Sequence, residues 1–278
     1  MEPARNQTAP PPATAVTLAV AATGVVRAGV EQLRSLRTNP GAVAGQPLPA
    51  NFLKHADDQT VAGLAAVLQA RQNEALAGED FSAWGIVAAP RFLARAAVAR
   101  ALERFATEGA WGVSPHLIPH LSLHSVSGTV SQALRIHGPN FGAGGGPHGA
   151  AKAMLAAAAL LADPQLPGLW LVLTGWNREP LDDPRRPGTN GHASTLPTCS
   201  AVALALKTEP PGWDGPWLSV EPGAVLTNGR AKAVAVVSFS LESLVDALMG
   251  ATRTPAWRLE CGGFVHLDTH ATPGAGRL

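Results

Sequence analysis

The stretch HGPNFGAGGGPHGAAKAMLAAAALLADP, His137 to Pro164, sets a glycine-dense turn directly before a run of alanine and leucine. A turn that opens a helix gathers free backbone amides and the positive end of the helix dipole, which can hold a carbonyl oxygen or an anion. His148 sits in the same turn and offers a base, but its sequence neighbours give it no partner to activate. Between Phe141 and Leu161 there is no cysteine, serine or threonine, so the turn carries no thiol or hydroxyl nucleophile. Gly144, Gly145 and Gly146 permit positive φ and close backbone approach. The turn is therefore either a pocket of bare backbone or a tight strand-to-helix connection. It is not a Walker loop, because no Lys-Ser or Lys-Thr pair follows. It fits the dinucleotide fingerprint poorly, with no clear acidic residue about 20 positions on.

Other reactive side chains give weaker patterns. His116, His120 and His124 are spaced by four, as metal ligands on one helix face would be, but Pro115 and Pro119 break that helix and no acidic residue completes a set. Surface or capping roles suit these histidines and His137 better. Cys199 and Cys261 lie in apolar runs and read as core thiols. His270 falls in a Gly, Pro and Ala tail of the kind that frays. No metal site and no cofactor are expected.

Periodicity supplies the elements that must position the turn. VTLAVAATGVV reads as a buried strand and VEQLRSL as a short amphipathic helix. A Pro and Gly loop spans Asn39 to Asn51. Helices are expected over Thr60 to Glu74, Phe92 to Thr107 and Val126 to Leu134, with a strand at WGIVAAP. After the glycine turn, Ala150 to Leu161 is apolar nearly all round, which predicts a helix buried on every side. LWLVLTGW predicts a strand in a parallel sheet covered on both faces. Asn177 to Thr195 is a polar loop. Cys199 to Leu206 and Ala233 to Phe239 are further buried strands, followed by a helix at Leu241 to Met249 and a strand pair in TPAWRLECGGFVHLD. Alternating strands and helices give an α/β fold.

The segment Ser114 to Asn140, SPHLIPHLSLHSVSGTVSQALRIHGPN, resembles the β-ketoacyl synthases of fatty acid and polyketide assembly. Ser114, Pro115, Ile118, Pro119, Gly128, Gly138, Pro139 and Asn140 fall at that family's spacing. Phe141, the helix Ala150 to Leu161, LWLVLTGW and CSAVALALKTE match the family's next elements. The resemblance implies a thiolase-like layered α/β fold with the N-terminal half largely complete and the C-terminal half truncated. At the family's nucleophilic cysteine stands Gly146 or Pro147, and the half carrying the family's two catalytic histidines and lysine is mostly missing. By the same resemblance Phe141, Gly144, Gly145, Gly146, Pro147 and His148 form a vestigial pocket. Leu134, Ile136, Asn140, Phe141 and Ala151, with the small residues Ala153 and Ala156 to Ala159, are expected at a dimer seam.

Length and composition set the bounds. A chain of 278 residues allows one large domain or two small ones. The expected division is a tail over 1–14, one ketosynthase-like domain over 15–268, with 15–225 like the N-terminal half and 226–268 a shortened remainder, and a tail over 269–278. Charged residues are 15% of the chain against the usual ~25%. That shortfall fits either surface buried on a partner or a bias toward Ala, Gly and Pro. The net charge of +1, with scattered Lys and Arg, points to neither nucleic acid nor an anionic membrane. The apolar run Val16 to Val26 is too short to span a bilayer, and a Glu with a proline cluster stands where a signal peptide would be basic. A cytoplasmic protein is expected.

Three functions remain. The first is a non-catalytic, chain-length-factor type subunit paired with a complete ketosynthase or with itself, and serving an acyl carrier protein. The second is an acyl-transferring or hydrolytic enzyme using the turn amides and His148. The third is a homodimeric carrier-binding module with a basic mouth at Arg91, Arg95 and Arg100.

Overall fold

The computed structural model describes residues 15–115, 117–178, 196–208, 210, 212–222, 237–250, 256–260 and 263–269. The chain opens with β1 (Val16–Gly29), α1 (Val30–Thr38), a ribbon of β2 (Ala42–Val43) and β3 (Gln46–Pro47), α2 (Asp58–Ala70) and β4 (Gly85–Arg91). Then come α3 (Arg95–Glu108), a 3-10 turn at Gly109–Gly112, α4 (Leu117–His120), α5 (His124–Leu134), β5 (Asn140–Gly142), α6 (Gly149–Leu160), β6 (Leu169–Trp176) and β7 (Thr198–Thr208). The last elements are β8 (Trp217–Pro222), β9 (Val237–Ser238), α7 (Leu241–Leu248), β10 (Ala256–Arg258) and β11 (Gly263–Asp268).

Among the described residues nine strands form one sheet in the order β5-β4-β6-β7-β1-β8-β11-β10-β9. The expected parallel sheet is mixed instead. β4 runs parallel to β5 and β6, β10 parallel to β9, and the other neighbours are antiparallel.

The apolar runs of β6 and β7 reflect burial on both faces. Ala201, Ala203, Ala205, Trp170 and Val172 join the core shared with residues of α1, α2 and α5. Val202, Leu204, Leu206, Leu171 and Leu173 join a second core with α6 and α7. α2 lies so close to β1 that a Cβ at Gly24 would stand 2.0 Å from the Ala66 carbonyl oxygen, so only glycine fits there.

Three other expectations are revised. α6 is not buried all round, because Lys152 and Ala159 are exposed while Ala151, Ala153, Met154, Ala157 and Ala158 face the core. Of the buried strand expected at Ala233 to Phe239, residues 233–236 lie outside the described residues, and β9 at the sheet edge leaves Val237 and Ser238 exposed. The loop after α1 holds the β2–β3 ribbon.

Candidate functional site

The glycine turn lies at the C-terminal ends of the parallel strands β4 and β6. After β5 the Ala143 amide donates to the Ala88 carbonyl at 2.7 Å, and the Phe92 amide donates to the Gly145 carbonyl at 3.3 Å, so the turn is stitched to the end of β4. Gly144 and Gly145 have φ of 91° and 89°. A Cβ on Gly144 would fall 2.3 Å from the Gly149 Cα, because the chain folds back onto the start of α6. Gly146 differs from both. It lies outside the positive-φ region, and a Cβ there would meet nothing within 4 Å. The backbone does not require glycine at 146, contrary to the sequence reading of all three residues.

Gly146 and Pro147 border a cavity of about 260 Å³, also lined by Arg91, Thr174, Ser240 and Glu260. The first turn of α7 forms its far wall, capped by Ser240, whose hydroxyl accepts from the Ser243 amide. The imidazole of His148 is not alone: its Nδ1 pairs with the carboxylate of Glu260. Both side chains are about half exposed, so water reaches the pair. Nothing in the sequence hints at this contact, which joins the start of α6 to the turn after β10.

The end of β4 is held firmly. Gln59, buried at the start of α2, donates through Nε2 to the Arg91 carbonyl at 3.0 Å, and its Oε1 accepts from Thr174 Oγ1 at 3.1 Å. Beyond it Phe92 and Ala94 take φ of 54° and 58°, strained for side chains with a Cβ. The guanidinium groups of Arg91 and Arg95 lie 5.5 and 4.8 Å from the Phe92 ring centre, and Arg91 faces Glu242 at 3.9 Å. Arg100 is exposed on α3. The polar sequence DDQT marks a helix start, but its reach to Arg91 and Thr174 is tertiary.

Cys199 is buried near the start of β7, and burial first, then the carboxylates of Asp57 and Asp58, push its thiol up, which disfavours the thiolate. Asp57, the N-cap of α2, accepts from the Gln59 amide at 2.8 Å, and burial pushes its pKa up to about 6.

The histidine trio does not share one helix: α4 ends at His120, whose ring lies 5.8 Å from that of His55, and α5 begins at His124, whose Nδ1 lies 3.2 Å from Ser127 Oγ. Among the described residues no three His, Cys, Asp or Glu side chains are placed to hold a metal. His116, Cys261 and His270 lie outside the described residues.

Of the residues expected at a dimer seam, Leu134, Ile136 and Ala151 are buried in the chain's own cores, as are Ala153, Ala157 and Ala158. Those side chains are covered mainly by the chain itself. Phe141 is 51% exposed on β5, the edge strand, and Asn140 beside it is half-buried.

No protein-family model and no curated protein matches the chain. Several solved structures align with it, among them two that cover most of its length. One is the type II polyketide synthase acyl-carrier protein in complex with its ketosynthase bound to the hexaketide, AntDE:AntF, with a TM-score of 0.51 and 14% identity over 70% of this chain and 63% of that chain. The other is the ketosynthase ApeO in complex with its chain length factor ApeC from Xenorhabdus doucetiae, with a TM-score of 0.56 and 13% identity over 91% of this chain and 99% of that chain. The chain thus spans less than two thirds of the first and nearly all of the second. Its fold is the mixed α/β, thiolase-like fold of ketosynthases.

Proposed function

We propose that this chain is a non-catalytic, ketosynthase-like subunit of the chain-length-factor type, paired with a complete ketosynthase in a type II fatty acid, polyketide or aryl-polyene-like assembly. One observation carries the reading. The place ahead of α6, where the ketosynthase resemblance puts the nucleophilic cysteine, holds Gly146 and Pro147 at the rim of a cavity. Acyl transfer through a thioester needs a polarisable nucleophile at that helix start, and neither residue has one. Since the backbone at Gly146 would admit a side chain, the missing nucleophile is not forced by geometry. An acyl carrier protein is proposed to approach by Arg91 and Arg95, whose positive charge suits an acidic partner.

The test is incubation of the purified chain with acyl-carrier thioesters, alone and with a complete ketosynthase, followed by intact-protein mass spectrometry. No acyl mass should appear on this chain, and it should co-purify with the ketosynthase. A covalent acyl adduct on the chain, or a monomer that ignores the ketosynthase, would overturn the reading.

The contact between His148 and Glu260 favours a second reading, hydrolysis. A carboxylate on Nδ1 leaves Nε2 as a base for water beside a carbonyl in the cavity. Thioester hydrolysis by the chain alone that His148→Ala abolishes would establish it.

A further inference from the structure

Two charge pairs border the cavity ahead of α6, and each joins elements far apart in the chain. His148, at the start of α6, meets Glu260 in the turn after β10. Arg91, at the end of β4, faces Glu242 in the first turn of α7 at 3.9 Å. Arg91 and Glu260 line the cavity themselves, and His148 stands between two residues that do, Pro147 and Gly149. All four side chains are between 42% and 50% exposed, so they lie where the cavity meets water.

The backbone around them is pinned. The glycine turn is bonded to the end of β4 through the amides of Ala143 and Phe92, and buried Gln59 holds the Arg91 carbonyl. α7 opens with a capping box at Ser240 and Ser243. Just before Glu260, Leu259 is buried, and its amide donates to the Gly263 carbonyl at 3.0 Å. What is left to move is the side chains, and exposed side chains change rotamer within picoseconds to nanoseconds.

Electrostatics favours the closed arrangement. A carboxylate beside imidazole Nδ1 accepts a hydrogen bond when the ring is neutral and forms an ion pair when it is protonated, so Glu260 keeps a partner in both states. α6 starts without a side-chain cap, and the positive end of its dipole attracts the same carboxylate. Exposed pairs of this kind shift an equilibrium by a few-fold, which holds a mouth mostly shut without locking it.

We infer that His148 with Glu260, and Arg91 with Glu242, form a side-chain strap that closes the cavity over a fixed rim. Entry to the pocket is thereby controlled without moving a loop. The inference goes beyond the two readings of the site and stands under either.

Entry is read from a cysteine placed in the cavity, Gly146→Cys in a Cys261→Ser background, alkylated at one pH with iodoacetamide and with N-(1-pyrenyl)iodoacetamide. The two reagents share one electrophile, so the thiolate fraction cancels in the ratio of their rates and the access of the bulky group remains. Peptide mass spectrometry separates this thiol from buried Cys199. Glu260→Gln keeps the shape and removes the charge. It should raise the pyrenyl-to-small ratio about two- to fivefold, and Glu260→Gln with Glu242→Gln should raise it further. Ala150→Cys, a second lining position, gives the same ratio if Gly146→Cys disturbs the turn. Amide hydrogen exchange over residues 144–150 should be the same in wild type and Glu260→Gln, because the rim stays still. An unchanged ratio at both cysteine positions overturns the strap. Faster exchange over 144–150 in Glu260→Gln overturns it as well, since a moving backbone would then open the mouth. Neither result bears on whether the chain carries an acyl group or pairs with a ketosynthase, so the two readings fail or stand separately.

Discussion

α3 and α6 are both alanine-rich helices, RAAVARALERFATE and GAAKAMLAAAAL, yet they meet opposite fates. α6 spends its small residues inside the chain, pressed on β4 and β6, with Ala153, Met154 and Ala157 fully buried. α3 holds its large apolar residues outward, and none of its described side chains is buried. Small side chains let a helix lie close to a sheet of its own chain, whereas large ones on an uncovered face supply area that only another surface can hide. α3 and the β5 edge thus hold large apolar side chains in water, and the alanine run does not.

The largest expected effect breaks or upholds this contrast directly. Met154→Ala in α6 should cost about 2–5 kcal/mol of stability, and Leu102→Ala in α3 no more than about 0.5 kcal/mol, both by urea denaturation of the isolated chain. Similar costs at the two sites would show that α3 is already covered.

The start of α6 sharpens the comparison next. Gly144→Ala puts a Cβ against Gly149 in a left-handed backbone, and a loss of about 1–3 kcal/mol is expected. Gly146→Ala, open on all sides, should stay within about 0.5 kcal/mol. The same urea denaturation decides it, and a costly Gly146→Ala would contradict an open position there.

A smaller, pH-dependent effect contrasts the buried start of α2 with the uncapped start of α3, whose N-cap Ala94 makes no side-chain hydrogen bond. The Asp57 pKa is raised from 3.8 to about 6 by burial, so the folded chain holds this proton more tightly than the unfolded one. Stability from this group is full below pH 3.8 and is lost as pH rises through 6. Asp57→Asn keeps a good cap without the charge. It should raise stability by about 1–2 kcal/mol at a pH of about 7.5 and change little near pH 4. An unchanged difference between the two pH values would show that Asp57 is not the group responsible.

Much of the fold was legible because it rests on local pattern. The runs Leu169 to Trp176 and Cys199 to Leu206 are strands, and the helices before and after the glycine turn fall within a few residues of their expected ends. The mixed direction of the sheet was not legible, since an apolar run buried on both faces reads alike whichever way its neighbours point. In the site, the sequence brought Gly146, Pro147 and His148 to the start of a helix, because turn and helix are adjacent in the chain. It missed Glu260, Gln59 and Thr174, which reach the site across long stretches of sequence. Reading His148 as unpartnered was the direct result.

By itself the sequence determined the chemistry that the turn lacks: the segment from Phe141 to Leu161 has no thiol or hydroxyl nucleophile in any fold. Only the tertiary structure decided which apolar residues are spent inside. Burial depends on what the sheet and its covering helices bring against each face, so Leu134 and Ile136 vanish into the core while Leu102, Phe105 and Trp111 stay in water.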